Sequence, residues 1–359
     1  MKILQVIGGL GTGGAEKLLV DSIPLMTEKG NEVDLLLLNG TKTPFLEILE
    51  RNKACRIFSL GKSFYNPLYI FKMIPYLKKY DMVHVHLFPA LYFVAVAKWL
   101  STSNTKIIFT EHNTENRRMN DIKFRLLEKA IYKAYSRVIC ISSKVKERLA
   151  NILNIDSNKL VLIENGVNVG EIKNVTKANR KSFNYNHDDM LLIMIAAFRK
   201  QKDQDTIIKA LKKLPSNYKL LLVGDGERRD HIVELVSELA LSDRVSFLGQ
   251  RTDVYSLLKM SDIAILSSHW EGFGLAAVES MASGIPLLAS DVDGLSQVVE
   301  NGGVLFEKGN VDDLVNKILE FNNKEYYYEI SQKGMKKAQN YDISTYITKL
   351  IEVYHSVLN

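Results

Sequence analysis

The sequence predicts an α/β protein made of two doubly wound parallel sheets in tandem. Three observations carry that expectation: short apolar runs bounded by turn residues, amphipathic segments of helical period between them, and one polar break that divides the series in two. In the first series the strands are expected at Lys2 to Ile7, Val33 to Leu38, Met82 to His86, Lys106 to Thr110, Arg137 to Ile141 and Lys159 to Ile163. Residues 168 to 189 are polar and lack periodicity, which marks a linker. The second series is expected at Leu191 to Ala196, Tyr218 to Val223, Val245 to Leu248, Ile263 to Leu266 and Pro286 to Ala289, with helices such as Asp203 to Leu214 and Arg228 to Ala240 between them. The domains then run 1–168 and 190–340, joined by 169–189. Residues 341–359 form an amphipathic helix, with Ile343, Tyr346, Ile347, Leu350, Ile351 and Tyr354 on one face, that could finish the second domain or cross back to the first. Two such domains place a cleft between the carboxyl ends of their sheets, where folds of this kind take ligands.

Length and composition agree. At 359 residues the chain has room for two domains of ordinary size, and 46% hydrophobic with 25% charged residues excludes disordered and low-complexity classes. Cys55 and Cys140 cannot build a disulfide framework, and no Cys/His cluster has zinc spacing, so a reducing compartment is expected. The opening residues have glycines where a signal peptide needs an apolar run, and the most apolar stretch, Leu87 to Ala97, is too short to span a bilayer. The expected location is cytoplasmic, with a peripheral position at the inner face of the membrane as the alternative.

The net charge of +6 is uneven: residues 1–170 carry +9 and the remainder −3. Ten basic residues lie between Arg117 and Arg148, among them Arg118, Lys123 and Arg125, opposed only by Asp121, Glu128 and Glu147. A patch of this kind suits an anionic lipid surface or nucleic acid, and a solvated helix face is the plain alternative.

Gly9-Leu10-Gly11-Thr12-Gly13-Gly14 follows a strand and opens a helix, which matches the spacing of a dinucleotide loop. The carboxylate that such a site wants at the end of the second strand is missing, because the chain reads Leu37-Leu38-Asn39-Gly40 there. What remains is an anion-binding or substrate loop on general grounds, with Gly13 and Gly14 at the positive end of a helix.

The most informative segment follows Leu266: Ser267-Ser268-His269-Trp270-Glu271-Gly272-Phe273-Gly274-Leu275-Ala276-Ala277-Val278-Glu279. Gly272 and Gly274 free the backbone just before good helix formers, so amides at the helix start can donate to a phosphate or sugar oxygen. Glu271 and Glu279 stand two turns apart, and carboxylates suit vicinal hydroxyls because each offers two acceptor oxygens. This segment resembles the E-x7-E signature of the retaining glycosyltransferases of family 4, whose GT-B fold has two facing Rossmann-like domains. Further pieces resemble the family in the same order: Gly13-Gly14-Ala15-Glu16, Thr110-Glu111-His112-Asn113, Asn165-Gly166-Val167-Asn168, Gln201-Lys202-Asp203, Gly224-Asp225-Gly226-Glu227 and Phe247-Leu248-Gly249.

The resemblance implies that Glu279 binds the ribose of a nucleotide sugar and Glu271 the hydroxyls of the donor sugar, with amides of Phe273, Gly274 and Leu275 against the sugar and diphosphate. It implies that Lys202 pairs with the diphosphate and that His112 sits close to the sugar. The base is expected near Gly249, Arg251 and Val254, with a UDP-sugar ahead of a GDP-sugar, although those residues alone do not separate uracil from guanine. The arginine usual in the family aligns with Ala197, and Arg199 is expected to replace it if the strand continues that far, because alternate positions share a face.

Without the resemblance, His84 and His86 read as buried strand residues, since no carboxylate completes a metal site with them. Asp203-Gln204-Asp205 and Asp291-Val292-Asp293 could be mistaken for a metal-binding triplet, yet the first opens a helix and the second lacks a partner carboxylate. No metal and no cofactor is expected. The implied reaction is transfer of a sugar from a nucleoside diphosphate to an acceptor hydroxyl with retention, the acceptor being a saccharide or a lipid-linked one. The alternatives are a nucleotide-sugar epimerase or other GT-B enzyme, and a basic protein that binds an anionic polymer. Nucleic acid is not expected, since the aromatics near the basic patch form no stacking platform and Glu271 and Glu279 would go unused.

Overall fold

A computed structural model describes residues 1–113 and 117–359, the side chains of Arg117 and Asn120 excepted. The chain divides into two compact units, Met1–Gly166 with Ile343–Asn359, and Val167–Asp342.

The first unit holds a parallel sheet of β1 (Lys2–Ile7), β2 (Glu32–Leu37), β3 (Ile57–Ser59), β4 (Met82–His86), β5 (Lys106–Glu111), β6 (Arg137–Cys140) and β7 (Leu160–Leu162), in the order β3-β2-β1-β4-β5-β6-β7. Register is set from the centre, where β1 pairs Ile3 with Val33 on one side and with Met82 on the other. The second unit repeats the winding with β8 (Met190–Ile195), β9 (Tyr218–Val223), β10 (Val245–Gly249), β11 (Ile263–Leu266), β12 (Leu287–Ser290) and β13 (Val304–Phe306), in the order β10-β9-β8-β11-β12-β13. In each sheet the order reverses once, between β1 and β4 and between β8 and β11, and that reversal opens a crevice at the carboxyl ends of the strands.

The strands are apolar on both faces because helices cover both. Strand β8 reads Met-Leu-Leu-Ile-Met-Ile, and the helix Gln204–Lys213 sets Ile207, Ile208 and Leu211 against the same core as Leu192, Met194, Leu220 and Leu222. Each such side chain contributes about 1.5–3 kcal/mol on full burial.

One region differs from the sequence expectation, and a second, the C-terminal helix, takes one of the two courses the sequence left open. The linker expected over residues 169–189 is part of the second unit. It starts with the helix Val169–Asn174, and Arg180 ties it down by bonds to Asp262 (2.7 Å), the Met260 carbonyl and the Asp189 carbonyl. Its polarity therefore reflects side chains that cap and anchor, not a lack of packing. The C-terminal helix Ile343–Leu358 belongs to the first unit, where it packs on the helix Gly14–Glu28 and buries Tyr346, Ile347, Leu350 and Tyr354. Among the described residues no helix is long and apolar enough to cross a membrane.

Candidate active site

In the second unit the segments that leave β8 and β11 are fastened side by side. The His269 amide donates to the Gln201 carbonyl (2.7 Å), Gln201 Nε2 to the Trp270 carbonyl (2.8 Å), and Ser267 Oγ to the Asp203 carbonyl (2.7 Å). These bonds bring Lys202 Nζ into an ion pair with Glu271 Oε1, which also accepts from Ser268 Oγ at 2.8 Å. Asp203 makes the turn after Lys202 with a left-handed φ of 51°, and its carboxylate is taken by Thr206 Oγ1 at 2.6 Å and faces His269 Nδ1 at 3.7 Å. Glu271 is buried to 8% exposure, and donors such as Lys202 and Ser268 are what make the burial of a carboxylate tolerable.

Gly272, Phe273 and Gly274 lead from this pair into the helix Leu275–Ala282. Gly274 takes a φ of 86°, and a Cβ there would come within 2.7 Å of Leu295 Cδ1, so the turn and the close approach both call for glycine. Gly274, at the N-cap, has no side chain to cap the helix, so it leaves the amides of the first turn, Leu275 included, uncapped from its own position. The Phe273 ring is buried and meets Tyr341 edge-on at 5.3 Å, so only the backbone of Phe273 is available to a ligand. Glu279 lies on the same helix, buried, and accepts from Tyr255 Oη at 3.3 Å. Gly249 ends β10 with φ 64°, and nothing would meet a Cβ there. Arg251 is held in a fork by Asp253 at 2.8 and 2.6 Å, and Val254 begins the helix Val254–Met260.

Arg199 departs from its expected setting. Strand β8 ends at Ile195, and the Arg199 amide donates back to the Ala197 carbonyl at 2.9 Å. The chain turns here, so the strand alternation that would place residues 197 and 199 on one face does not apply. Arg199 is exposed and makes no ion pair among the described residues. Asp205, in the triplet with Asp203, is engaged by Arg228 at 2.7 Å, and Asp291 by Ser296 at 2.6 Å.

In the first unit the residues at the equivalent reversal are neutral. His86 ends β4, and its Nδ1 lies 3.2 Å from Nε2 of His112, which follows β5. His84, His86 and Gln5 are buried, and desolvation pushes His84 and His112 down to about 3 and His86 well below its ordinary value. Glu111, beside His112, accepts from Tyr132 and from the Asn113 amide at 2.9 Å, and burial raises its pKa. Leu87 makes the turn after His86 with φ 60°, the counterpart of Asp203. Gly13 and Gly14 are exposed at the uncapped start of the helix Gly14–Glu28, with the Glu16 carboxylate folded back over Gly13.

The basic patch is not uniform. Arg117 lies outside the described side chains. Arg118 is structural: its guanidinium stacks on Phe88 at 4.0 Å and donates to the fully buried Glu128 at 2.8 Å, which a surface charge would not do. Arg125 Nε reaches the Met119 carbonyl at 3.4 Å, whereas Lys123 is exposed. The sequence reading missed what surrounds Lys123: Ile122, Phe124, Leu126 and Leu127 of the helix Ile122–Ala134 are all exposed, two of them above 70%. It also gave no role to Ser268 or Tyr255.

Two units of the same doubly wound order, each with polar groups gathered at its strand reversal, define a two-domain Rossmann-like protein of the GT-B type. Family models agree for both halves: "Glycosyltransferase Family 4" matches residues 12–171 and "Glycosyl transferases group 1" matches residues 175–340. The chain is a glycosyltransferase. It is 32% identical over 244 residues to an uncharacterized glycosyltransferase, MJ1178, of Methanocaldococcus jannaschii, covering 66% of this chain and 64% of that one. It is 24% identical over 362 residues to the UDP-Gal:alpha-D-GlcNAc-diphosphoundecaprenol alpha-1,3-galactosyltransferase of Escherichia coli, covering 95% and 93%. Its fold matches that of Anabaena Alr3699/HepE, solved with UDP and glucose, at a TM-score of 0.87 and 20% identity over 99% of this chain and 100% of the other.

Proposed function

We propose that the protein transfers a sugar, with retention at the anomeric carbon and without a metal ion, from a UDP-sugar to a hydroxyl of a saccharide or lipid-linked saccharide. The observation that carries this reading is the Lys202–Glu271 pair at the β8/β11 reversal, beside the start of the helix Leu275–Ala282 that also carries Glu279. An ammonium and a set of amides suit a diphosphate, and two separated carboxylates suit two sets of sugar hydroxyls. The UDP in the Anabaena structure and the donor and acceptor in the name of the Escherichia coli relative support uridine and a lipid-linked acceptor.

In the proposed reaction the bond from the anomeric carbon to the phosphate oxygen breaks as the bond to the acceptor oxygen forms on the same face. The acceptor proton passes to the departing phosphate, while Lys202 and the amides of Phe273, Gly274 and Leu275 stabilise the charge that develops there. Glu271 both orients the donor sugar and holds Lys202 in place before the donor arrives.

Calorimetric titration with nucleoside diphosphates and their sugars, with no added metal, tests the site. UDP is expected to bind, and Glu279→Ala and Lys202→Ala each to weaken it about 10- to 100-fold, the scale of a hydrogen bond to a charged group. Equal binding by the native chain and both variants would remove the assignment.

The exposed apolar ridge Ile122, Phe124, Leu126 and Leu127, with Lys123 beside it, supports a peripheral position on an anionic membrane. Co-sedimentation with anionic vesicles that is lost in a Lys123→Glu, Leu126→Glu double variant is the expected result. Vesicle binding equal in the two proteins, or absent from both, would count against it.

A further inference from the structure

In the first unit, Tyr354, Gln5, His86 and His112 form one hydrogen-bonded line that runs from the last turns of the C-terminal helix to the loop after β5. Gln5 sets its direction. The Gln5 Nε2 atom lies 3.2 Å from Tyr354 Oη and 3.9 Å from Met26 Sδ, an acceptor for each of its two hydrogens. Its Oε1 therefore faces His86 Nε2, at 2.9 Å. A carbonyl oxygen only accepts, so His86 carries its proton on Nε2. A buried neutral imidazole has one N–H, which leaves His86 Nδ1 bare, and His112 Nε2, 3.2 Å away, has to be the donor to it.

The other branch is consistent with this. Tyr354 Oη receives from Gln5 and donates to His84 Nδ1 at 2.7 Å, and His84 Nε2 then donates to Thr110 Oγ1 at 2.7 Å. Turning the Gln5 amide over would set its oxygen against the Met26 sulfur and reverse every bond in the line together. The direction is thus a property of the whole line.

We infer that Tyr354 and Gln5, acting through His86, hold His112 in the Nε2–H tautomer, so that His112 meets a bound sugar with a bare Nδ1 and accepts a hydrogen bond from one of its hydroxyls. Among the described residues no hydrogen bond reaches that Nδ1. The inference rests on the closeness of His112 to a donor sugar that the family resemblance implies. Tyr354, Gln5 and His86 are positioning residues in it, none of them touching the substrate.

NMR of the full-length protein labelled at the histidine ring nitrogens separates the two tautomers, with the His112 signals assigned by their loss in His112→Ala. The native chain is expected to show His112 as Nε2–H alone. Tyr354→Phe removes the acceptor that orients Gln5, so a mixture of tautomers is expected, with kcat about tenfold lower and KM for the donor unchanged. His86→Phe, which removes the acceptor for His112 itself, is expected to do the same. An Nδ1–H ring in the native chain, or a His112 tautomer unmoved in both variants, would overturn the inference. The native spectrum decides even if a variant fails to fold. An Nε2–H ring together with native transfer by His112→Ala would overturn the sugar contact while leaving the nucleotide site of the second unit to its own titration.

Discussion

The two units wind the same way and hold opposite chemistry at the same topological place. At the β1/β4 reversal the first unit sets neutral, buried imidazoles in a hydrogen-bonded line, and at the β8/β11 reversal the second sets an ammonium against a carboxylate. Both follow the polar group with a residue forced into the left-handed region, Leu87 in one and Asp203 in the other, so the strain of a sharp turn sits beside the polar group each time. The fold supplies the crevice, and the residues just past the strands decide which polar groups it presents.

Acid separates the units most strongly. His84 and His86 are depressed in the folded state, so their contribution is complete above about pH 6.5 and is lost as the pH falls toward their folded values, because the unfolded chain takes up protons first. These two groups should cost the first unit up to about 3 kcal/mol per pH unit between pH 6.5 and 5, the slope for two protons, and the depressed His112 adds to the loss in the same direction. The two tryptophans report separately: Trp99 lies in the first unit and Trp270 in the second. Denaturant titrations of Trp99→Phe and Trp270→Phe at a series of pH values should show the Trp99 transition moving down in acid well before the Trp270 transition. Transitions that move together would erase the contrast.

A smaller effect probes the second unit. Gly294 has φ 81°, and a Cβ there would run into the Glu271 carbonyl oxygen. Gly294→Ala should cost about 2 kcal/mol, read from the Trp270 transition, and leave the Trp99 transition in place.

Much of the architecture was legible in the sequence because central parallel strands are long, apolar and bounded by turns. Strands β3 and β13 were not, since Ile57–Ser59 and Val304–Phe306 are three-residue edge strands, whereas the equally short β7 lies inside the longer apolar run Leu160 to Ile163. In the site, Glu271, Gly274 and Glu279 stood out because glycines beside an acid weaken a helix start while freeing its amides, a combination that suits a ligand better than it suits folding. Arg118 misled for the opposite reason: a count of charges does not reveal that one guanidinium is stacked on Phe88 and committed to Glu128. The line through Gln5, His86 and Tyr354 had no sequence signal, because its members are 349 positions apart at the extremes.

That separation bears on synthesis. The first unit needs its last 17 residues, Ile343–Asn359, to complete its core, whereas the second, Val167–Asp342, is continuous. On the ribosome the domain begun first is therefore finished last. At about 5–20 residues per second, the nascent first unit waits roughly 10–35 s while the second is made, with the surface that Tyr346, Ile347 and Leu350 will cover still open to water and to chaperones.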